Sequence, residues 1–246
     1  MHEEAITYSI DDKKFVGILV SPDKNNKIKR PAVIVAHAWM GRDEFAVQKA
    51  RELAALGYIG FAADLYGDAQ VVNTSEAAVA LLTPLALDRA TLQKRIGAAF
   101  NTISQNVFVD SKKIGGIGFC FGGLTIIELL RSGLPVRGVA SFHAVLGTQR
   151  GEQKAKTVPI AKNIKGSLLI LHGYNDPLVS EQDVLNTQKE MDDAKVDWQM
   201  NTYGHTSHGF MNPQLNDVTN GLIYNPQACN RAWRAMCNFF EEIFAN

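Results

Sequence analysis

The stretch Gly118-Phe119-Cys120-Phe121-Gly122-Gly123 places a cysteine between glycines, directly after an apolar run and directly before a helical pattern. A sharp strand-to-helix elbow needs small residues two before and two after its apex, because side chains there would collide with the crowded backbone. Cys120 therefore occupies the apex of such an elbow and is the candidate nucleophile. The same geometry aims the first amide groups of the following helix at negative charge that develops on a substrate oxygen.

Outward from the elbow, apolar runs of strand length at Ala32 to His37, Ile59 to Ala63, Ile114 to Ile117, Val136 to Phe142 and Ser167 to Leu171 alternate with helical patterns. That alternation predicts an α/β fold with a mostly parallel central sheet and helices on both faces. Ala46, Ala50, Leu53 and Ala54 recur at helical spacing after Asp43, a cap, and Gly57 ends that helix. Ser180 with Asp183 reads as a capping box opening a second crossover helix. Ile6 to Ser21 reads as a strand pair around Asp11-Asp12, and the alternation over Val196 to Tyr203 as a half-buried strand near an edge. Ser75 to Ser104 reads as one long helical region, and about Asn225 to Phe244 as a final helix burying Trp233, Met236, Phe240 and Ile243. With neither linker nor repeat in the pattern, residues 1–246 are expected to form a single domain.

Composition narrows the function. Lys plus Arg and Asp plus Glu each total 25, without a basic run, so the electrostatic footprint of a nucleic-acid binder is missing. A small-molecule partner is expected instead. No apolar run approaches the roughly 18 to 20 residues of a membrane span, and the polar, acidic start predicts a cytoplasmic protein. Three cysteines without CxxC spacing argue against a disulfide framework and a structural zinc site. Cys229 and Cys237, within the final helical segment, read as small buried hydrophobes.

A cysteine nucleophile on an elbow calls for an acid and a histidine after later strands, in that chain order. Strand Ser167 to Leu171 runs into a loop containing Asp176, and strand Val196 to Tyr203 runs into the segment containing His208. Ligands of open α/β sheets bind beyond the carboxyl ends of the strands, where all three residues would meet. A neutral imidazole takes the thiol proton, while a carboxylate on its other nitrogen fixes the tautomer and stabilises the cation. His205 is the alternative histidine; the His208-Gly209-Phe210 context favours His208. The backbone N–H groups of Phe121 and of Trp39 are the expected oxyanion donors. His37, Trp39 and Phe210 are candidates to shape the substrate pocket. His37, His143 and His172 all end apolar strands, but without close ligand pairing they predict no metal site.

Together these pieces resemble the dienelactone hydrolase family of the α/β-hydrolase fold. The match runs through Val33 to Gly41, Asp64-Leu65-Tyr66-Gly67, the Gly118 to Gly123 elbow, Gly173 to Val179, and His208-Gly209-Phe210 with Asn212-Pro213, nearly the whole chain. The resemblance implies a cofactor-free hydrolase of small esters or lactones with a Cys-Asp-His triad, which falls on Cys120, Asp176 and His208. Thioesterase or acyltransferase activity is a close variant, and a non-catalytic binding or redox-sensing role is the alternative. Two departures stand out. Where the family commonly has an acidic residue that interacts with the resting cysteine, this chain has Ala38, leaving activation to His208 directly or to Asp43 or Glu44. The arginine that dienelactone-cleaving relatives carry shortly after the histidine is absent from Met211-Asn212. Arg89 matches the other substrate-clamping arginine, its plainer reading being a solvated helix charge.

Overall fold

The computed structural model describes residues 1–24, 28–147, 149–150, 153–155 and 161–245. Eight strands form the central sheet: β1 (His2–Ile10), β2 (Lys13–Ser21), β3 (Arg30–Ala36), β4 (Ile59–Ala63), β5 (Val109–Phe119), β6 (Gly138–Phe142), β7 (Ser167–Gly173) and β8 (Trp198–Tyr203). Their spatial order is β1-β2-β4-β3-β5-β6-β7-β8; β1, β2 and β4 pair antiparallel and all later neighbours parallel. The strand over Val196 to Tyr203 is indeed an edge, with its residues half-buried or exposed.

Alternation along the inner strands divides the core in two. On β3, Ala32, Ile34 and Ala36 face one cluster while Val33 and Val35 face the other. On β7, Leu168 and Ile170 oppose Leu169 and Leu171 in the same way. Both faces are apolar because both are covered by helices, as parallel strands require. Helices α1 (Glu44–Ala55) and α6 (Pro226–Ala245) cover one face. Helices α3 (Arg89–Ser104), α4 (Phe121–Arg131) and α5 (Glu181–Asp193) cover the other.

Caps set the helix boundaries. Asp43 accepts the Ala46 N–H at 3.1 Å to open α1, and Ser180 with Asp183 forms the expected capping box on α5. The long helical region between Ser75 and Ser104 is two helices, α2 (Ser75–Leu87) and α3. Asp88 breaks it: its side chain accepts the Thr91 N–H at 3.1 Å and caps α3, while Pro84 weakens the end of α2 by removing a backbone donor. Trp233 on α6 is only half-buried, whereas Met236, Phe240 and Ile243 are in the core as expected.

The elbow rests on close backbone approach. A Cβ on Gly118 would lie 2.0 Å from the Gly122 carbonyl oxygen, and one on Gly122 would lie 2.0 Å from that of Ala36. Gly122→Ala should therefore cost more than about 4 kcal/mol or prevent folding. Gly97→Ala, whose Cβ would meet only Leu134 Cδ1 at 3.3 Å, should stay within about 1 kcal/mol of wild type. Urea unfolding of the two variants measures the difference.

Candidate active site

Cys120 lies between β5 and α4 with φ 56° and ψ −114°. Positive φ strains a non-glycine residue, and here it is fixed from both sides: the Cys120 N–H donates to the Phe142 carbonyl at 3.1 Å, and its carbonyl accepts from Leu124 N–H at 3.2 Å. Phe121 opens α4, so its amide has no partner within the helix.

Asp176 and His208 come from loops beyond β7 and β8 and are both buried. His208 Nδ1–H donates to Asp176 Oδ2 at 2.7 Å, while Asp176 Oδ1 accepts the Leu178 N–H at 2.9 Å. The carboxylate thus fixes both the ring's orientation and its tautomer, leaving Nε2 as the free ring nitrogen. Burial opposes charge on His208, but the adjacent Cys120 sulfur and the Asp176 carboxylate outweigh it and lift the imidazole from 6.5 to about 10. Gly209, at φ 74°, and the Ile223 N–H bond to the His208 carbonyl at 2.9 Å anchor the segment. His205 is exposed at the turn and lines a separate surface depression with Asn175 and Ser207.

Cys120 and His208 border a cavity of ≈ 810 Å³ with Trp39, Phe121 and His143, walled on one side by Val79 and Leu82 of α2. Trp39 occupies the loop between β3 and α1. Two carbonyls of that loop are tied back, Ala38 by His37 Nδ1 at 2.6 Å and Trp39 by the Tyr66 hydroxyl at 2.7 Å.

Three sequence expectations for substrate contact are corrected. His37 does not border the cavity. It is wholly buried, and its Nε2 accepts the Leu65 N–H at 3.2 Å while Nδ1 serves Ala38, so it staples two loops. Burial pushes its imidazole down to about 4. Phe210 is likewise fully buried and packs edge-on against His143 at 5.2 Å as core. Arg89 is neither a solvated helix charge nor a neighbour of Cys120. It is 2% exposed, donates to the Gly147 carbonyl at 3.3 Å, and joins Glu128 at 3.7 Å beside a different cavity of ≈ 480 Å³. Glu128 also binds Arg131 at 2.8 Å, and Arg131 binds Glu190 on α5, so the arginine is part of a structural network.

The sequence reading undervalued His143. It follows β6 at φ 37°, is buried, and places its ring 5.0 Å from that of His208. Neither of its ring nitrogens has a hydrogen-bond partner among the described residues. Burial, then the neighbouring His208, holds it well below the usual histidine range, so it stays neutral beside the charged ring. The only sequence signal was its place at a strand's carboxyl end. Of the two acidic candidates near Ala38, Glu44 points outward to Arg51, whereas Asp43 borders the Cys120 cavity. Among the described residues no His, Cys, Asp and Glu group could hold a metal ion, and no helix is long and apolar enough to cross a membrane.

A sharp strand-to-helix elbow after β5, with an acid and a histidine beyond later strands of an eight-stranded, mostly parallel sheet, is the arrangement of an α/β-hydrolase fold. The chain belongs to the dienelactone hydrolase family, whose pattern matches residues 15–244, and is a carboxylic ester hydrolase of that type. It is similar to a dienelactone hydrolase-like promiscuous phosphotriesterase from metagenomic libraries, at 33% identity and TM-score 0.90 over 98% of both chains. A protein of Aquifex aeolicus provisionally named carboxymethylenebutenolidase is 25% identical over 97% of each chain. A Homo sapiens carboxymethylenebutenolidase homolog is 27% identical over 129 residues, 52% of this chain and 48% of the human one.

The raised His208 value has a stability sign. A folded-state pKa above the unfolded value gives a contribution fully present below about pH 6.5 and lost as pH rises through about 10. Cys120→Ala removes the strongest lifting partner and leaves burial, so the imidazole should titrate at least about one unit lower. An NMR titration of His208 in wild type and variant measures this.

Proposed function

We propose that this protein hydrolyses small esters or lactones through a covalent acyl-Cys120 intermediate. The observation that carries the reading is the buried 2.7 Å His208–Asp176 bond, beside a cysteine held at positive φ in the same cavity. His208 carries the proton that Cys120 gives up, and the sulfur attacks the substrate carbonyl carbon. The tetrahedral oxyanion accepts hydrogen bonds from the Phe121 and Trp39 N–H groups. The carbon–oxygen bond breaks, and His208 returns the proton to the leaving oxygen. His208 then takes a proton from water, whose oxygen attacks the thioester; the carbon–sulfur bond breaks, and the acid is released with the cysteine restored.

Direct activation by His208 fits the charge balance better than help from the Ala38 position, which offers no ionisable group. The 33% identical phosphotriesterase supports a second substrate type for the same nucleophile, an uncharged phosphotriester attacked at phosphorus with loss of one of its ester alcohols.

Hydrolysis of p-nitrophenyl butyrate, with a thiol reductant present, tests the reading. Wild type should turn over repeatedly with a butyryl adduct on Cys120 in the intact mass, and Cys120→Ala should lose at least about 10³-fold in kcat. Stoichiometric reaction without turnover would favour the sensing role, and equal rates in the variant would remove Cys120 from the chemistry.

A further inference from the structure

We propose that Asp43 makes the Cys120 cavity selective for substrates without negative charge, so that the site takes apolar, uncharged acyl compounds rather than carboxylate-bearing lactones. The inference rests on the hydrolase reading for the word substrate, and on the cavity alone for the charge selection.

The cavity's charge inventory is one-sided. Of its twenty lining residues none is lysine or arginine, and besides His208 the ionisable side chains are Cys120, His143 and Asp43. His208 is already paired with Asp176, and His143 is neutral. An incoming carboxylate thus meets no lysine or arginine among the lining residues, and the charge of the His208 ring is balanced by Asp176. The nearby cations are engaged elsewhere. Arg42, next to Asp43 in sequence, donates from Nε to the Val16 carbonyl at 2.9 Å. Lys49 on the same helix pairs with Glu52 at 2.8 Å and sits 4.8 Å over the Trp233 ring. Arg89, the one buried arginine that the sequence suggested for this task, borders the other cavity.

Asp43 is fixed where it stands. Burial raises the Asp43 carboxyl above its ordinary value, opposed by the Ala46 N–H that its Oδ1 accepts as the cap of α1 and by the positive end of the helix dipole. The other walls are apolar, with Trp39, Phe45, Val79, Leu82 and Leu215 among them. Charge–charge repulsion is poorly screened in such a recess, so an anion bound beside Cys120 meets Asp43 at low local dielectric. An uncharged chain instead gains apolar contact along α2, whose Val79 is 48% exposed with nothing covering it among the described residues.

Asn caps helices as well as Asp does, so Asp43→Asn removes the charge and keeps α1. Two readouts are compared. The first is kcat/KM for p-nitrophenyl valerate against mono-p-nitrophenyl glutarate, chains of equal length that differ in a terminal carboxylate. The second, independent of turnover, is the alkylation rate of Cys120 by iodoacetamide against iodoacetate, followed by peptide mass so that Cys229 and Cys237 do not contribute. Wild type should prefer the neutral ester, and Asp43→Asn should raise the anionic-to-neutral ratio by at least about tenfold in both readouts, chiefly through KM for the esters. Asp43→Ser, also a good cap, should match it and serves if the Asn variant folds poorly. Unchanged ratios in the alkylation experiment overturn the proposal. An altered alkylation ratio without turnover of either ester upholds the charge selection and removes the hydrolase reading instead.

Discussion

Everything in this molecule that bears on chemistry depends on one close approach, that of the first turn of α4 to the ends of β3 and β5. Gly122 lies so near the Ala36 carbonyl, and Gly118 so near that of Gly122, that neither position has room for a methyl group. The residue between them must turn sharply, and Cys120 does so at φ 56°. Such strain is on the order of 1–3 kcal/mol and persists only where the surroundings over-determine it. They do here, because Ile34, Ile117 and Phe119 beside the elbow are buried to within 1% exposure and leave no slack for relaxation.

The same constraint organises the Trp39 side of the cavity. With α4 pressed against the end of β3, the loop that follows β3 is forced across the mouth of the site. Two long-range bonds hold it: His37 to Leu65 and Tyr66 to Trp39, both from the segment after β4. The Asp64-Leu65-Tyr66-Gly67 motif thereby acquires a structural account. Asp64 is buried and accepts N–H groups from Tyr66 and Gly67 on one oxygen and from Val16 and Ala69 on the other, while the Tyr8 hydroxyl donates to its carbonyl. It ties the β1–β2 hairpin to the loop that steadies the site.

What was legible in the sequence was what depends on local chemistry. Period-2 alternation marked the inner strands, and small residues at fixed offsets marked the elbow. Asp43 and Ser180 announced helix starts because a cap bonds within three residues of itself. The break at Asp88 was legible in principle, since Pro84 and a capping Asp lay inside the pattern; the apolar run on either side masked it. Arg89, His37 and Phe210 were misread for a different reason. Their neighbours, Glu128, Leu65 and His143, lie far along the chain, so residue type and predicted element say nothing of which cavity a side chain faces. The meeting of Cys120, Asp176 and His208 in one place was legible despite similar separations, because strand order brings the carboxyl ends of parallel strands together whatever their spacing.

Buried polarity alone does not distinguish the cavity's groups from the rest of the core; spare hydrogen-bonding capacity separates some of them. Asp64 has both oxygens doubly occupied and His37 both nitrogens, so neither has anything to offer a ligand. Glu128 is shared among Arg89, Arg131 and Gln93 and is equally spent. His208 differs. Asp176 occupies one nitrogen and fixes the ring, while the other meets no nitrogen or oxygen partner among the described residues and the ring borders the cavity shared with Cys120. A buried group with an unused bond is costly to fold around, at about 1–3 kcal/mol for each unsatisfied donor or acceptor. The fold carries that cost at His208 and again at His143, whose rings touch. Among the described residues, unmet capacity is thus present on two adjoining rings in the wall of the cavity that Cys120 and Phe121 also border.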